Sequence, residues 1–302
     1  METPRLALMR SKLFVPGSRP ELFPKALASE ADALSLDLED AVTPSRKEEA
    51  RAAVEAFLRG RPEGGDGKIV IVRVNGPATP LFEPDLRAVL GRGLDVVNLP
   101  MVESAADIQR AVDAMQRVEH LGGLSSRARI LANIETPRGL HAAAEIAAAH
   151  PRVAGLQVGY GDLFEPAGIA RDHAAALDHV RLVVRFAAAA ADIPCFDGAL
   201  ADVASPERCR AEAEAARRLG FAGKSCIHPS QVLVVNAAFA PTPGEVARAR
   251  RLLDAARERI GSGTGAFLVE GQMVDAPFIE SARALVALAA RLGMPEARGE
   301  TP

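Results

Sequence analysis

The feature that most constrains the fold is a regular alternation of short apolar segments with helical segments over the first 240 residues. Buried parallel strands read as near-continuous apolar runs, and several of the helical segments begin with Pro or Ser, which helix starts prefer. Eight such strand–helix repeats predict a (β/α)8 barrel over residues 1–240. A doubly wound open sheet is the alternative, and the lack of a GxGxxG motif after the first strand weakens it. The predicted strands are Lys12–Val15, Ala33–Leu38, Ile69–Val74, Val96–Leu99, Ile130–Ile134, Gly155–Val158, Ile193–Phe196 and Gly223–Ile227.

The pattern changes after Pro241-Thr-Pro243. The sequence then predicts a helix at Gly244–Ile260, a flexible GSGTG linker at 261–265, a short apolar stretch at Phe267–Val274 and a last helix at Ala276–Leu292. We expect residues 241–302 to form a lid or an oligomerisation appendage, with a disordered tail after residue 293.

Composition narrows the class of protein. The chain has 302 residues, of which 48 % are hydrophobic, so a full core can be buried. A net charge of −3 gives no reason to expect nucleic acid or an anionic membrane as partner. The three cysteines, Cys195, Cys209 and Cys226, show no CxxC spacing and fit reduced thiols. No apolar run reaches the roughly 18–20 residues of a membrane span, and METPRLALMR lacks the apolar core of a secretory signal. We therefore expect a soluble cytoplasmic protein.

The stretch from Arg129 to Leu163 is where we expect the chemistry, because two predicted strands flank a helix and a carboxylate follows each strand. Glu135 comes after the first strand and Asp162 after the second. In a parallel sheet both leave at the same edge. Two carboxylates on one rim are natural ligands for a hard cation such as Mg²⁺. The alternative interpretation is that Glu135 caps the helix predicted at Thr136–Ala149 and that Asp162 lies in a Gly-rich turn.

Other polar residues follow the remaining predicted strands, where (β/α)8 enzymes carry their sites. Arg73 is embedded in the apolar segment IVIVRVN, and a buried guanidinium needs anionic partners. It can serve a substrate or form a structural salt bridge to a carboxylate of the rim. At least one acid of the segment DLED is expected to be structural. The rim predicted from strand ends comprises Asp37, Glu39, Asp40, Glu135, Asp162 and Asp197, with His228 as a hydrogen-bonding neighbour rather than a metal ligand.

Several sequence strings, taken in order, resemble the citrate lyase β-subunit-like family within the HpcH/HpaI aldolase group, which includes malyl-CoA and citramalyl-CoA lyases. The resemblance covers residues 10 to about 290. It implies a (β/α)8 barrel with a C-terminal lid, usually in a homotrimer or a dimer of trimers. It also implies magnesium-dependent cleavage or formation of a carbon–carbon bond between an acyl thioester and a 2-oxo acid. The strings are RSKLFVPGSRP, LSLDLEDAVTPSRKEEAR, VRVNG, NLPMVES, IETPRGL, VGYGDL, GKSCIHPSQV and GQMVDAP.

The resemblance also implies roles for residues at the predicted rim. Glu135 and Asp162 correspond to the ligands of one Mg²⁺ ion per site. Arg73 corresponds to the residue that binds the substrate and the thioester carbonyl. Glu39 and Asp40 correspond to the residues that hold metal-bound waters.

Further residues correspond to the coenzyme A entrance and the lid. Phe14, Arg19 and Lys25 are expected to line the entrance for the CoA thioester, and Asp275 is expected to act as the acid/base on the lid, reaching the site of a neighbouring subunit. Two alternatives stay open. One is the β subunit of a lyase that acts on citryl attached to an acyl carrier protein. The other is a catalytically silent regulator that binds CoA thioesters or 2-oxo acids.

Overall fold

The structure is a computed structural model that describes residues 5–62, 67–91, 93–124, 128–260 and 266–294. The chain divides into two compact units, Met1–Phe239 and Ala240–Pro302. The predicted linker at 261–265 and the predicted tail beyond Met294 lie outside the described residues. None of the described helices is long and apolar enough to cross a bilayer.

The first unit contains a closed barrel of eight parallel strands, each paired with the next and the last paired with the first. This confirms the predicted (β/α)8 fold. Every predicted strand is present, with ends that differ by at most two residues. The strands are β1 (Ser11–Pro16), β2 (Ala33–Asp37), β3 (Ile69–Arg73), β4 (Val96–Leu99), β5 (Arg129–Ile134), β6 (Val153–Val158), β7 (Cys195–Asp197) and β8 (Gly223–Cys226).

Helices surround the barrel, with 3₁₀ turns at Arg5–Leu8, Pro20–Leu22 and Pro44–Arg46. The helix predicted over Thr136–Ala149 is in fact two helices that meet at Ala142. A short helix that we did not predict follows β6. The helices of this unit are α1 (Phe23–Leu27), α2 (Lys47–Arg59), α3 (Phe82–Val89), α4 (Ala105–Gly122), α5 (Pro137–His141), α6 (Ala143–Ala148), α7 (Tyr160–Phe164), α8 (Ala174–Ala190), α9 (Pro206–Arg218) and α10 (Pro229–Phe239).

Successive strand residues point to opposite faces, so each strand supplies an outer and an inner row. The outer rows pack against the helices in the large apolar core, to which β2 contributes Leu34 and Leu36. The inner rows carry different side chains at the two ends of the barrel. A second apolar cluster, including Ile69, Leu131 and Phe196, fills the barrel toward the amino ends of the strands. Polar and charged side chains occupy the positions above it, toward the carboxyl ends.

The second unit has its own small core. Helix α11 (Pro243–Ile260) and helix α12 (Ala276–Arg291) flank an antiparallel hairpin of β9 (Phe267–Val269) and β10 (Gln272–Val274). Ala256, Phe267, Val274 and Ile279 pack together within it. The roles predicted for the two units, a catalytic domain and a lid, stay predictions.

Candidate active site

A cavity of about 450 Å³ lies at the carboxyl ends of the barrel strands. Five of the predicted site residues line it, and they come from five different strands or from the segments that follow them. These are Phe14, Asp40, Arg73, Glu135 and Asp162. The barrel therefore brings together residues that are up to 148 positions apart in the sequence.

Arg73 is the last residue of β3, and its side chain is 13 % exposed. Asp37 holds it through two bonds, with Nε donating to Oδ1 at 2.8 Å and Nη2 donating to Oδ2 at 2.6 Å. Its Nη1 lies 2.7 Å from Glu39 Oε2 and 3.2 Å from Asp40 Oδ2. Burial opposes the charge, but Asp37 and the other two carboxylates outweigh it and raise the pKa of Arg73. A guanidinium has five N–H groups, so one hydrogen of Nη2 is left for a ligand after these contacts.

Asp37 has a structural role, as expected for at least one acid of this segment. It is 2 % exposed. Besides holding Arg73, it accepts hydrogen bonds from the backbone N–H groups of Glu39 and Ala41 at 2.9 and 3.2 Å. Asp37 thus fixes both the arginine and the loop that carries the other two carboxylates.

Glu135 follows β5 and is 3 % exposed. Its Oε1 accepts from the backbone N–H of Met101 at 2.7 Å, and its Oε2 accepts from Asn133 Nδ2 at 3.1 Å. Gly159 makes room for it, because a Cβ at position 159 would lie 2.3 Å from Glu135 Oε2. The carboxylate is therefore fixed in orientation by two donors and by a glycine.

The carboxyl groups around the cavity raise one another's pKa. Burial raises the pKa of Glu135 to about 7, and the neighbouring Asp162 adds to this. Burial and Asp40 raise the pKa of Asp162, which lies on α7 rather than in a turn. Burial also raises the pKa of Glu39 to about 8, with Asp40 contributing and Arg73 opposing. This part of the protein carries more negative charge than Arg73 compensates, so a cation would be favourable here.

Three further predicted residues of the first unit, Glu39, Arg19 and Lys25, do not line this cavity, although Glu39 contacts Arg73. Arg19 and Lys25 are exposed, and Arg19 forms an ion pair with the neighbouring Glu21. Asp275 belongs to the second unit, directly before α12. Its side chain makes no capping hydrogen bond, and its Oδ1 has no partner among the described residues. No hydrogen bond therefore gives Asp275 a capping role at α12.

One prediction about the rim was wrong. Asp197 is the last residue of β7, points outward and is 0 % exposed. There it accepts hydrogen bonds from Tyr160 Oη at 2.7 Å, Arg181 Nη2 at 3.1 Å and Lys224 Nζ at 2.8 Å. His228, predicted as a hydrogen-bonding neighbour, is exposed, and its Nδ1 lies 2.8 Å from Ser230 Oγ. The phase of a three-residue strand cannot be determined from alternation, which is why Asp197 was placed on the wrong face.

Sequence reasoning missed a layer of polar side chains just below the rim. Lys12 is 1 % exposed inside the barrel, where its Nζ donates to Asn98 Oδ1 at 3.3 Å and to Gln157 Oε1. Its Nζ also lies 4.2 Å from the centre of the Phe14 ring. Burial and Arg73 lower the pKa of Lys12, against the effect of Asp37 and Glu135. The signal was available, because a polar residue stands among apolar neighbours in KLF, VNL, ANI and LQV. In KSC two adjacent residues are polar, and alternation does not tell which of them faces inward.

Known proteins of one family are similar to this chain over most of its length. The family model described as HpcH/HpaI aldolase/citrate lyase matches residues 10–229. The citrate lyase subunit beta-like protein of Deinococcus radiodurans is 38 % identical over 283 residues, which are 93 % of this chain and 97 % of that protein. An L-malyl-CoA/beta-methylmalyl-CoA lyase of Rhodobacter capsulatus is 34 % identical over 301 residues, with 92 % of this chain and 94 % of the relative covered. The crystal structure of CitE from Mycobacterium tuberculosis in complex with magnesium, acetoacetate and coenzyme A is 35 % identical. It superposes with a TM-score of 0.77 over 94 % of this chain and 99 % of that one. These matches confirm the resemblance found in the sequence.

Proposed function

Because the chain belongs to the HpcH/HpaI aldolase/citrate lyase family and is a carbon–carbon lyase by class, we propose that it acts on a 3-hydroxyacyl-CoA thioester such as malyl-CoA or citramalyl-CoA. The reaction cleaves this thioester to an acyl-CoA and a 2-oxo acid, or forms it from them. Support comes from the relatives, one of which is named a malyl-CoA lyase and one of which is solved with magnesium and coenzyme A. The observation that carries the proposal is the convergence of Arg73, Glu135 and Asp162 on one cavity.

The site suits a magnesium ion. Among the described residues no group of three or more Asp, Glu, His or Cys side chains forms a ready cage. Mg²⁺ does not require such a cage, because it is usually bound by one or two carboxylates and keeps several waters. Glu135 and Asp162 would supply the two carboxylates, and their raised pKa values indicate that nearby positive charge does not balance the carboxylates. Glu39 and Asp40 would accept hydrogen bonds from waters of the ion. When bound, the ion supplies Lewis-acid polarisation of the oxo acid's carbonyl group.

Arg73 has the chemistry to hold the thioester oxygen. Bond cleavage places negative charge on that oxygen, and a preorganised charged donor stabilises such charge where it develops. Asp37 fixes the guanidinium through two hydrogen bonds, so little reorganisation is needed during the reaction. The Nη2 hydrogen that Asp37 leaves free is the donor we assign to this role.

Asp275 is the candidate for the proton transfer. A carboxylate that is not engaged in capping is available as an acid/base. We propose that it acts at the site of an adjacent subunit, in a homotrimer or a hexamer. Phe14 lines the cavity and is proposed to contact the CoA thioester, with Arg19 and Lys25 outside the cavity as cations for its phosphates. The cytoplasmic location stays a prediction.

The test is turnover of malyl-CoA and citramalyl-CoA with Mg²⁺, with acyl-CoA followed by chromatography and the 2-oxo acid by hydrazone formation. We expect both products in equal amounts and loss of activity on chelation. Glu135→Gln and Asp162→Asn should each abolish activity and weaken Mg²⁺ binding while the thermal unfolding temperature stays near that of the wild type. Either variant with wild-type turnover and metal affinity would show that the metal assignment is wrong.

The same assay separates the alternatives. Turnover of citryl-acyl carrier protein but of no CoA thioester would identify a lyase subunit. Binding of CoA thioesters without cleavage of any would identify a silent regulator. Release of free CoA together with a hydroxy acid, without a 2-oxo acid, would identify a thioester hydrolase.

A further inference from the structure

Both carboxylate oxygens of Glu135 depend on residues at the end of β4. Oε1 accepts a hydrogen bond from the backbone N–H of Met101, two residues after the strand ends. Oε2 accepts from Asn133 Nδ2, and Asn133 Oδ1 in turn accepts from Asn98 Nδ2 of β4 at 2.6 Å. Neither Asn98 nor Met101 is among the described residues that line the cavity. The end of β4 therefore supports Glu135 from outside the cavity.

A chain of side-chain hydrogen bonds crosses the barrel interior from Lys12 to Glu135. Lys12 Nζ donates to Asn98 Oδ1 at 3.3 Å, and Asn98 Nδ2 donates to Asn133 Oδ1. Asn133 Nδ2 then donates to Glu135 Oε2 at 3.1 Å. All four side chains are buried, and none of the four residues is more than 3 % exposed. Because water is largely excluded from these groups, an unpaired donor or acceptor among them would be costly.

The direction of this chain is fixed by Asn98. A backbone carbonyl oxygen can only accept, and Leu131 O accepts a second hydrogen bond from Asn98 Nδ2 at 3.0 Å. Both hydrogens of the Asn98 amide are thereby directed to Leu131 and Asn133. Asn133 must present its oxygen to Asn98, so its amide nitrogen faces Glu135. Asn98 thus determines that Glu135 Oε2 meets a donor rather than an acceptor.

The backbone of Met101 gives an independent indication that this region serves Glu135. Met101 has a φ of 54°, in the left-handed region that residues other than glycine rarely adopt. Such conformations cost energy and cluster at functional sites, where the surrounding structure maintains them. Here the strained residue is the one whose N–H binds Glu135 Oε1 at 2.7 Å. Two unrelated features of the β4 end, an amide chain and a strained backbone, therefore converge on one carboxylate.

We infer that Asn98 is a positioning residue for Glu135 and that it acts through Asn133 without contacting the ligands of the cavity. This inference rests on the proposed function, in which Glu135 binds Mg²⁺. Groups that form hydrogen bonds to metal ligands orient those ligands, and their loss typically costs 10–100-fold in metal affinity or activity. Through Asn133, Asn98 sets the orientation of the Glu135 carboxylate before the ion binds.

Asn98→Asp reverses the chain with little change in side-chain volume. The new oxygen would face Leu131 O and Asn133 Oδ1, so Asn133 must turn its amide nitrogen toward position 98 and its oxygen toward Glu135. We expect the Mg²⁺ dissociation constant, measured by calorimetry, to rise at least about tenfold. We expect kcat/KM with malyl-CoA to fall by a similar factor. Asn98→Leu removes both donors without adding a charge, and it should weaken Mg²⁺ binding in the same direction. Wild-type Mg²⁺ affinity in both variants would overturn the inference.

A double-mutant cycle tests whether the effect passes through Asn133. Asn133→Ala is measured alone and in combination with Asn98→Asp. If Asn98 acts through Asn133, the double variant should bind Mg²⁺ as weakly as Asn133→Ala alone, within about twofold. Losses that simply multiply would mean that the two residues act independently, and the inference would then be wrong.

Asn236→Asp is the matched control for Asn98→Asp. Asn236 is a buried asparagine of α10 whose Nδ2 donates to the backbone oxygen of Glu30 at 2.7 Å. It is not among the described residues that line the cavity. The same substitution again places an acceptor against a backbone carbonyl, so we expect a lower thermal unfolding temperature with unchanged Mg²⁺ affinity. An equal loss of Mg²⁺ affinity in this control would attribute the effect to general destabilisation and refute a specific role of Asn98.

Crystal structures of the wild type and of Asn98→Asp without Mg²⁺ separate this inference from the proposed function. In the variant, the separation between Asn133 and Glu135 Oε2 should lengthen beyond about 3.5 Å, the limit of a hydrogen bond. An unchanged carboxylate would contradict the positioning role. If the wild type bound no Mg²⁺ but Glu135 was displaced in Asn98→Asp, the positioning role would be supported and the metal assignment would be wrong.

Discussion

Gly159→Ala tests whether the position of Glu135 is essential. Gly159 follows β6 with φ −114° and ψ 96°, a conformation that alanine adopts without strain. The difficulty is steric, because the added Cβ would lie 2.3 Å from Glu135 Oε2 and 2.6 Å from Glu135 Cβ. The substitution therefore displaces Glu135 without altering its chemistry.

The size of the displacement follows from these distances. An ordinary contact at a Cβ begins near 3.4 Å, so an Oε2 at 2.3 Å must move by the difference, 1.1 Å. Such a shift strains the 2.7 Å bond from Met101 N and the 3.1 Å bond from Asn133 Nδ2. A misplacement of about 1 Å costs about a hundredfold in rate, and overpacking costs about 1–3 kcal/mol of stability. For a unit of this size we expect the thermal unfolding temperature to fall by about 3–10 °C.

The assay measures Mg²⁺ affinity by calorimetry, kcat/KM with malyl-CoA and thermal unfolding. We expect Mg²⁺ affinity to fall at least about tenfold, since Mg²⁺ tolerates little departure from its ideal geometry. Gly161→Ala is the control, because a Cβ at position 161 meets nothing within 4 Å although Gly161 lies beside Asp162. Its Mg²⁺ affinity and unfolding temperature should match the wild type. Wild-type affinity and turnover in Gly159→Ala would refute the view that Glu135 must stand where it does.

Three further predictions concern other parts of the protein. Arg73→Lys keeps the charge but loses the planar fork, so kcat should fall at least about a hundredfold; a raised KM with unchanged kcat would instead indicate ground-state binding. Mixing Asp275→Ala with Glu135→Gln under subunit exchange should restore activity if Asp275 acts in a neighbouring subunit, and no recovery despite verified exchange would exclude that. Burial opposes ionisation of Asp197, but Lys224 and a neighbouring arginine outweigh it and hold the pKa of Asp197 at about 2. This lowered pKa contributes stability above about pH 4 that is lost as the pH falls, so the free-energy advantage of the wild type over Asp197→Asn should shrink by about 2 kcal/mol between pH 5 and pH 2, measured by denaturant unfolding.

The sequence predicted the barrel because its signals are local and repeated. Each of the eight apolar runs has the length of a strand and can be recognised from a few neighbouring residues. All eight form strands in the structure. The ends of the helices and strands, and interruptions within a helix, were harder to predict. The alanine-rich segment from Thr136 to Ala149 contains no residue that marks the interruption at Ala142. The short helix from Tyr160 to Phe164 lies in a glycine-containing segment that a turn would also fit.

The site was predictable where a residue's position along a strand decided its place. Arg73, Glu135 and Asp162 reach one cavity because parallel strands end at one rim. What the sequence could not show was the pairing of charges in space. Arg73 meets three carboxylates, and the sequence left open whether it formed a salt bridge at all. Asp197 has the same strand-end position as Glu135 but faces the helices.

The charge balance at the rim connects these observations. Arg73 supplies one positive charge, and Asp37 already engages it with two hydrogen bonds. Glu39, Asp40, Glu135 and Asp162 are then left to repel one another, and three of these four carboxyl groups have raised pKa values. Bringing a divalent cation to them releases that repulsion, so binding of the ion should be tighter where more of the carboxylates are ionised.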